Sequence, residues 1–177
     1  MSRGSSISTK ITAHSTALIA QDSDLRGDIT LGPGCIVHPK AAILALGGPI
    51  VIGADCVVEE TAVIVNRGNT VMRIGKENHF MIGCRVESPS VGDHNAFQPR
   101  SRASSAVAIS SHCTLGAGTI LLALDPTLPP GQVETIPPYT VVYGAESERR
   151  IWDASCEATE MGLRANQVSY LREVLPK

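Results

Sequence analysis

The sequence predicts an all-β chain wound as a three-sided parallel coil of about seven circuits, followed by a C-terminal α-helix. Three observations carry that fold class. A bulky aliphatic residue returns every sixth position, as at Leu31, Val37 and Ile43 in "LGPGCIVHPKAAI". A helix repeats at 3.6 and a strand at 2, so a period of six marks a higher-order repeat. Small side chains hold a second phase, four residues after the aliphatic, at Cys35, Ala41, Cys56, Ala62, Cys84, Ser101, Cys113 and Thr119. Asn78 and Asn95 also fall in that phase. The composition agrees: 43% of residues are hydrophobic but only 3% aromatic, so the core must be Val, Ile, Leu and Ala, with 16 Gly and 11 Pro to turn corners.

Each hexapeptide reads as one short strand and one tight turn, and three of them close a circuit of 18 residues. Because strand side chains alternate, the aliphatic and the small residue both point inward. Residues 1–10 are expected to be a flexible N-terminus, and 11–145 the coil. Ile11, Ala17 or Ile19, and Leu25 make an irregular first circuit. The frame then runs Leu31, Val37, Ile43, slips by three through "GGP", and resumes at Ile52, Val58, Ile64. It slips again through "NRGNTVMR" to Ile74, Phe80, Val86, and loses one residue around Pro89. From there it is regular: Val91, Phe97, Ala103, Ile109, Leu115, Leu121. A break at "ALDPTLPPGQVET" predicts a loop insertion near 122–135, before Ile136 and Val142. Gly32, Gly53, Gly75 and Gly92 mark one corner at intervals of 21, 22 and 17, each departing from 18 where the sequence looks like a loop. Stacked at ~4.8 Å, such circuits make a prism roughly 30 Å long.

Residues 146–177 change period. Ile151, Ala154, Ala158, Met161, Ala165, Val168 and Leu175, with Leu171 on the same side, form an apolar stripe at helical spacing, and Pro176 is its stop. The expected role is to pack on the coil and cover a flank or an exposed edge.

A net charge of −2 offers no broad basic field for nucleic acid. No apolar run approaches the ~20 residues needed to span a bilayer, so direct membrane insertion is not expected. The polar start "MSRGSSISTK" lacks a signal-peptide core, and five scattered cysteines suit reduced thiols, so a cytoplasmic location is expected. Cys35, Cys56, Cys84 and Cys113 share the small-residue phase and read as core packing.

Catalytic, metal and cofactor sites are all expected to be absent. His14, His38, His79, His94 and His112 form no close ligand pair. His38 reads as a surface corner residue, and His79, His94 and His112 read as scattered, without convergence in one subunit. There is no P-loop, GxGxxG or nucleophile elbow. In "LRGD", Arg26 is expected to project outward and pair with Asp28 along the coil. Several outward positions are apolar, among them Ile36, Ala42, Leu44, Val51, Val57, Val63, Val65, Met81, Ile120, Leu122 and Val141. A contiguous apolar patch marks an interface, so Ile36, Val57, Val63 and Val65, with Arg26 and Asp28, are the candidate partner-binding residues.

The repeat resembles the left-handed parallel β-helix of hexapeptide-repeat proteins, and the left hand is implied by that resemblance alone. The "LRGD" segment leading into the coil resembles gamma-class carbonic anhydrases. That family's zinc histidines would fall at about Val65, Ile82 and Glu87, where none is His, which puts that activity in doubt. A closer resemblance covers most of the chain. "LRGDITLGPGCIVHPKAAI", "GGPIVIGADCVVEETAVIVN" and "IPPYTVVYGAESERR" are similar to the dynactin subunit 6 family, with the N-terminal coil and "ALDPTLPPGQ" as departures. That resemblance implies a non-catalytic pointed-end subunit of dynactin, serving dynein–dynactin assembly and cargo or adaptor engagement in microtubule-based transport. Its implied partners are dynactin subunit 5, the pointed-end actin-related protein and the p62-type subunit, and its implied place is the cytoskeleton. The competing expectation is a homotrimeric hexapeptide-repeat enzyme, an acyltransferase or a degenerate gamma-carbonic-anhydrase relative.

Overall fold

A corner every six residues leaves room only for very short strands, and the chain forms strands of two to four residues. The computed structural model describes residues 6–152 and 157–175. Three parallel sheets form the faces of a prism. The first runs β1 (Lys10–Ala13), β4 (Asp28–Leu31), β7 (Ile50–Ile52), β10 (Met72–Ile74), β13 (Ser90–Val91), β16 (Val107–Ile109) and β19 (Glu134–Ile136). The second runs β2 (Leu18–Ile19), β5 (Ile36–Val37), β8 (Val57–Val58), β11 (His79–Phe80), β14 (Ala96–Phe97), β17 (Thr114–Leu115), β20 (Thr140–Tyr143) and β21 (Glu148–Ile151). The third runs β3 (Asp24–Arg26), β6 (Ala42–Ala45), β9 (Val63–Asn66), β12 (Arg85–Val86), β15 (Arg102–Ala103) and β18 (Ile120–Leu121). Consecutive strands always lie in different sheets up to β20, which is the signature of a coil.

The register follows the slips in the sequence. Leu31 pairs with Ile52, Ile52 with Ile74, Ile74 with Val91 and Val91 with Ile109, so the four-residue, three-residue and minus-one offsets are absorbed at loops rather than inside strands. The insertion lengthens one circuit, and Ile109 pairs with Ile136. The aliphatic phase is the core: Leu31, Val37, Ile43, Ile52, Val58, Ile64, Ile74, Val86, Val91, Ile109, Leu115, Leu121, Ile136 and Val142 are all buried. Phe80 and Phe97 occupy the same phase in adjacent circuits and stack with ring centroids 4.8 Å apart. The small phase is buried as well, including Asn78 and Asn95. Their amides earn that place by serving corner backbone that would otherwise be stranded. Asn78 Nδ2 donates to the Gly92 carbonyl at 2.8 Å, Asn78 Oδ1 accepts from the Asn95 N–H at 2.9 Å, and Asn95 Oδ1 accepts from the Cys113 N–H at 2.7 Å.

One corner column requires glycine. A Cβ on Gly53 would lie 2.7 Å from the carbonyl carbon of Gly75, and one on Gly32 would lie 2.8 Å from that of Gly53. Backbones of successive circuits approach too closely there for any side chain. A second column is left-handed but not mainly glycine: Asp55, Glu77, His94, His112 and Tyr139 have φ between 55° and 60°. No sequence signal announces these, because a non-glycine residue accepts such a φ only when its neighbours enforce it.

The last part of the chain departs from expectation. Residues 146–152 do not begin a helix. The chain turns at Gly144 (φ 76°), and β21 runs antiparallel on the edge of β20, pairing Thr140 with Ile151 and Tyr143 with Glu148. Helix α1 (Glu157–Val174) follows and packs against β5. Val168, Leu171 and Leu175 are half-buried on one face, while Leu163, Ala165, Tyr170 and Val174 are exposed. The expected stripe is therefore real in its second half, but Ala165 is off it and Ile151 belongs to β21. Ala154 and Pro176 lie outside the described residues, as do the side chains of Ala158 and Met161. No described helix is long and apolar enough to cross a membrane.

Candidate interaction surface

Ile36, Val57, His79 and Ala96 are register partners on the outer face of the second sheet, and all four are buried. An outward residue on a one-sided sheet is buried only if something lies over it, and α1 lies there. Arg172 Nη2 donates to the Gly34 carbonyl at 3.2 Å and to Asp55 Oδ1 at 3.1 Å, and Gln167 Nε2 donates to Glu59 Oε1 at 3.4 Å. Ile36 and Val57 therefore do point outward, but as the seat of the chain's own helix rather than as a free surface. Alternation along a strand told inside from outside and could not tell which outer face a distant segment covers.

Beneath the helix sits a polar cluster. Glu59 Oε1 meets His79 Nε2 at 2.6 Å, and Glu59 Oε2 accepts the Ile82 N–H at 3.0 Å. Burial opposes ionisation of Glu59, but the His79 hydrogen bond and charge and the Ile82 N–H outweigh it and hold the carboxyl below its ordinary range. His38, expected at a surface corner, is half-buried with a buried Nε2 that has no hydrogen-bond partner. Burial pushes its pKa down, and the nearby His79 does so further, against the pull of Glu59 and Glu60.

The third sheet carries the remaining candidates. Val63 is half-buried between Ala42 and Arg85, its partners in the neighbouring circuits. Val65 is 1% exposed, paired in register with Leu44, so it too is not an open contact. The adjacent Arg85 and Arg102 are register partners, with Glu87 held by Arg85 at 3.1 Å and by Arg67 at 3.3 Å. Arg26 pairs with Asp24 at 2.8 Å, not with Asp28. Gly27 between Arg26 and Asp28 is left-handed (φ 88°) and turns the chain from β3 into β4, sending the two side chains to different faces. Both remain exposed.

Two of the three histidines expected to be scattered, His94 and His112, do converge, while His79 stays apart with Glu59. His94 and His112 stack at 4.9 Å, His112 stacks on Tyr139 at 4.7 Å, and Tyr139 leans on Trp152 at 6.2 Å. His94 Nδ1 also meets Glu77 Oε2 at 2.7 Å. Their spacing of 18, one full circuit, was the available signal, and it places them on the same corner. At the positions where a zinc set would fall by resemblance, Ile82 is exposed, Val65 is buried, and Glu87 is committed to two arginines. Among the described residues no group of three or more His, Cys, Asp or Glu is arranged to hold a metal ion. Burial pushes the Cys84 thiol up to about 12 and raises Cys113 as well, so these sulfurs stay protonated in the core.

No protein-family model matches the chain. It is 33% identical over 172 residues to dynactin subunit 6 of Danio rerio, covering 90% of this chain and 81% of that protein. It is 28% identical over 171 residues to dynactin subunit 6 of Nematostella vectensis, covering 90% and 85%. Among solved structures, a hexapeptide transferase family protein from Anaplasma phagocytophilum superposes with a TM-score of 0.79 at 15% identity, covering 94% of each chain. That likeness shows the fold alone, a solenoid of stacked parallel β coils.

Proposed function

The chain belongs to the dynactin subunit 6 family, and from that premise we propose that it is a non-catalytic structural subunit of the dynactin complex. In this reading it sits in the pointed-end assembly with dynactin subunit 5, the pointed-end actin-related protein and the p62-type subunit. There it serves dynein–dynactin assembly and cargo or adaptor engagement in microtubule-based transport, in the cytoplasm and on the cytoskeleton. The observation that carries the reading is the kinship to subunits of that name along nine tenths of the chain. The chemistry of the coil supports it: Glu59 is consumed by His79, the Ile82 N–H and Gln167, and burial holds the Cys84 and Cys113 thiols protonated. Val63, with Arg26 and Asp28, stays a proposed contact, since these residues remain at least partly accessible on or beside the third sheet.

The test is affinity purification of the tagged chain from its own cells, followed by mass spectrometry and light scattering. Recovery of the actin-related filament subunits and dynein chains is expected. A metal-loaded trimer without those proteins would instead favour a hexapeptide-repeat enzyme.

A further inference from the structure

The second sheet lies under α1, whereas the third still exposes Arg102, Ile120 and Leu122. On that third face five outward residues are register partners in successive circuits: Ala42, Val63, Arg85, Arg102 and Ile120. Arg100 joins them from the adjoining corner. Its backbone is left-handed (φ 61°), its N–H donates to the Ile82 carbonyl at 3.0 Å, and a Cβ on Gly83 would lie 3.4 Å from its Cγ. The stem of Arg100 therefore runs back over the preceding circuit. Arg67 reaches the same face from the loop after β9 and shares Glu87 with Arg85. Four guanidiniums on this face and its edge thus have one carboxylate between them. Arg100 and Arg102 have no ion pair among the described residues, and the exposed Glu60, two circuits from Arg100 at that corner, bonds neither. Two other carboxylates of the third sheet and the insertion are already taken, Asp24 by Arg26 at 2.8 Å and Glu134 by Arg149 at 2.7 Å. Like charges directly opposite on neighbouring strands are destabilising, so placing Arg85 and Arg102 in register costs the coil stability that its fold does not require.

We propose that the third face docks an acidic segment of a partner protein, with its carboxylates on Arg100 and Arg102 and its apolar side chains on Ile120 and Leu122. Charge selects the occupant. A guanidinium is a planar fork that holds a carboxylate through two parallel hydrogen bonds, and it is weakly hydrated enough to be covered at an interface. Ile120 follows Arg102 in the same column, and phosphates alone would leave it and Leu122 in water. A segment bearing both acidic and apolar side chains satisfies both halves of the face. The net charge of −2 on the whole chain opposes a nucleic acid or an anionic membrane, whose charge extends well past this face, and bears little on a short segment. From Val63 to Ile120 is three circuit steps, roughly 14 Å, the length of about four extended residues. The inference rests on the reading of the chain as an assembly subunit and names the chemistry of one of its contacts.

Two variants of the tagged full chain, purified with its assembly from its own cells, test the proposal. Arg100→Lys with Arg102→Lys keeps the charge and supplies amines that a zero-length carbodiimide joins to any carboxylate in contact. Cross-links from position 100 or 102 to Asp or Glu of another subunit are expected. Arg100→Glu with Arg102→Glu is expected to lower recovery of that same subunit at least tenfold. Arg73→Glu, an equally exposed reversal on the first sheet, is expected to leave recovery unchanged. If the double reversal does not fold, as read from its thermal melt, the cross-links of the charge-preserving variant decide alone. Full recovery by the double reversal, with no carboxylate cross-link at either position, would overturn this docking surface and leave the subunit role standing. Binding of the free natural chain to phosphatidylserine vesicles or to a polynucleotide, lost in the double reversal, would overturn the choice of occupant, as would cross-links to a second copy of this chain. A natural chain that recovers no assembly would overturn the subunit role, and this surface with it.

Discussion

Cys35, Cys56, Cys84 and Cys113 show how far single residues could be read in advance. Their shared phase predicted burial without chemistry, and they are buried. His94 and His112 show a signal that was present and easily passed over, since a spacing of 18 puts them one circuit apart on the same corner, where they stack. Gly53→Ala forces a Cβ against the Gly75 backbone and should cost about 1–3 kcal/mol, measured by urea unfolding. The cluster under α1 should make stability fall with acid. His38 has a folded pKa below its ordinary 6.5, so its contribution is complete above 6.5 and is lost as pH falls below that value. Glu59 has a folded pKa below 4.5, so its contribution persists above 4.5 and is lost as pH falls through the lowered value. Thermal melts between pH 7.5 and 5 should show a falling midpoint, and His38→Gln should flatten that fall.

Among the elements, the strands were legible one by one because each is a six-residue sentence with its own inward and small positions. The C-terminal segment was legible only in part. "ESERRI" carries charges that suit a helix, yet β20 offered a free edge, and edge pairing with a left-handed Gly144 turn won. Helix α1 acts as a lid on an apolar face rather than as an independent unit, since it packs against β5 and Val168, Leu171 and Leu175 are half-buried on one of its faces. Leu171→Asp should loosen it. The expected outcome is faster amide exchange across 165–175, new binding of an apolar dye at the exposed flank, and little change in exchange within β11 to β16. Arg172→Ala, which removes the contacts to Asp55 and Gly34, should act in the same direction more weakly.

As a whole molecule the coil is close to one-dimensional, because each circuit touches mainly the circuits above and below it. Position along the axis should therefore grade the cost of core truncation. Phe80→Ala removes a stacked, fully buried ring from the middle and should cost about 3–5 kcal/mol, read from the unfolding midpoint. Ile11→Ala at the half-buried end should cost far less and should speed exchange only in β1 and its neighbour β4. The sequence by itself determined the coil, its inward residues and the places where the register slips, because those follow from a short period that every circuit must obey. Only the tertiary structure decided which outward apolar residues are surface and which lie under the C-terminal helix. Those depend on where segments distant in the chain come to lie, and no local period records that.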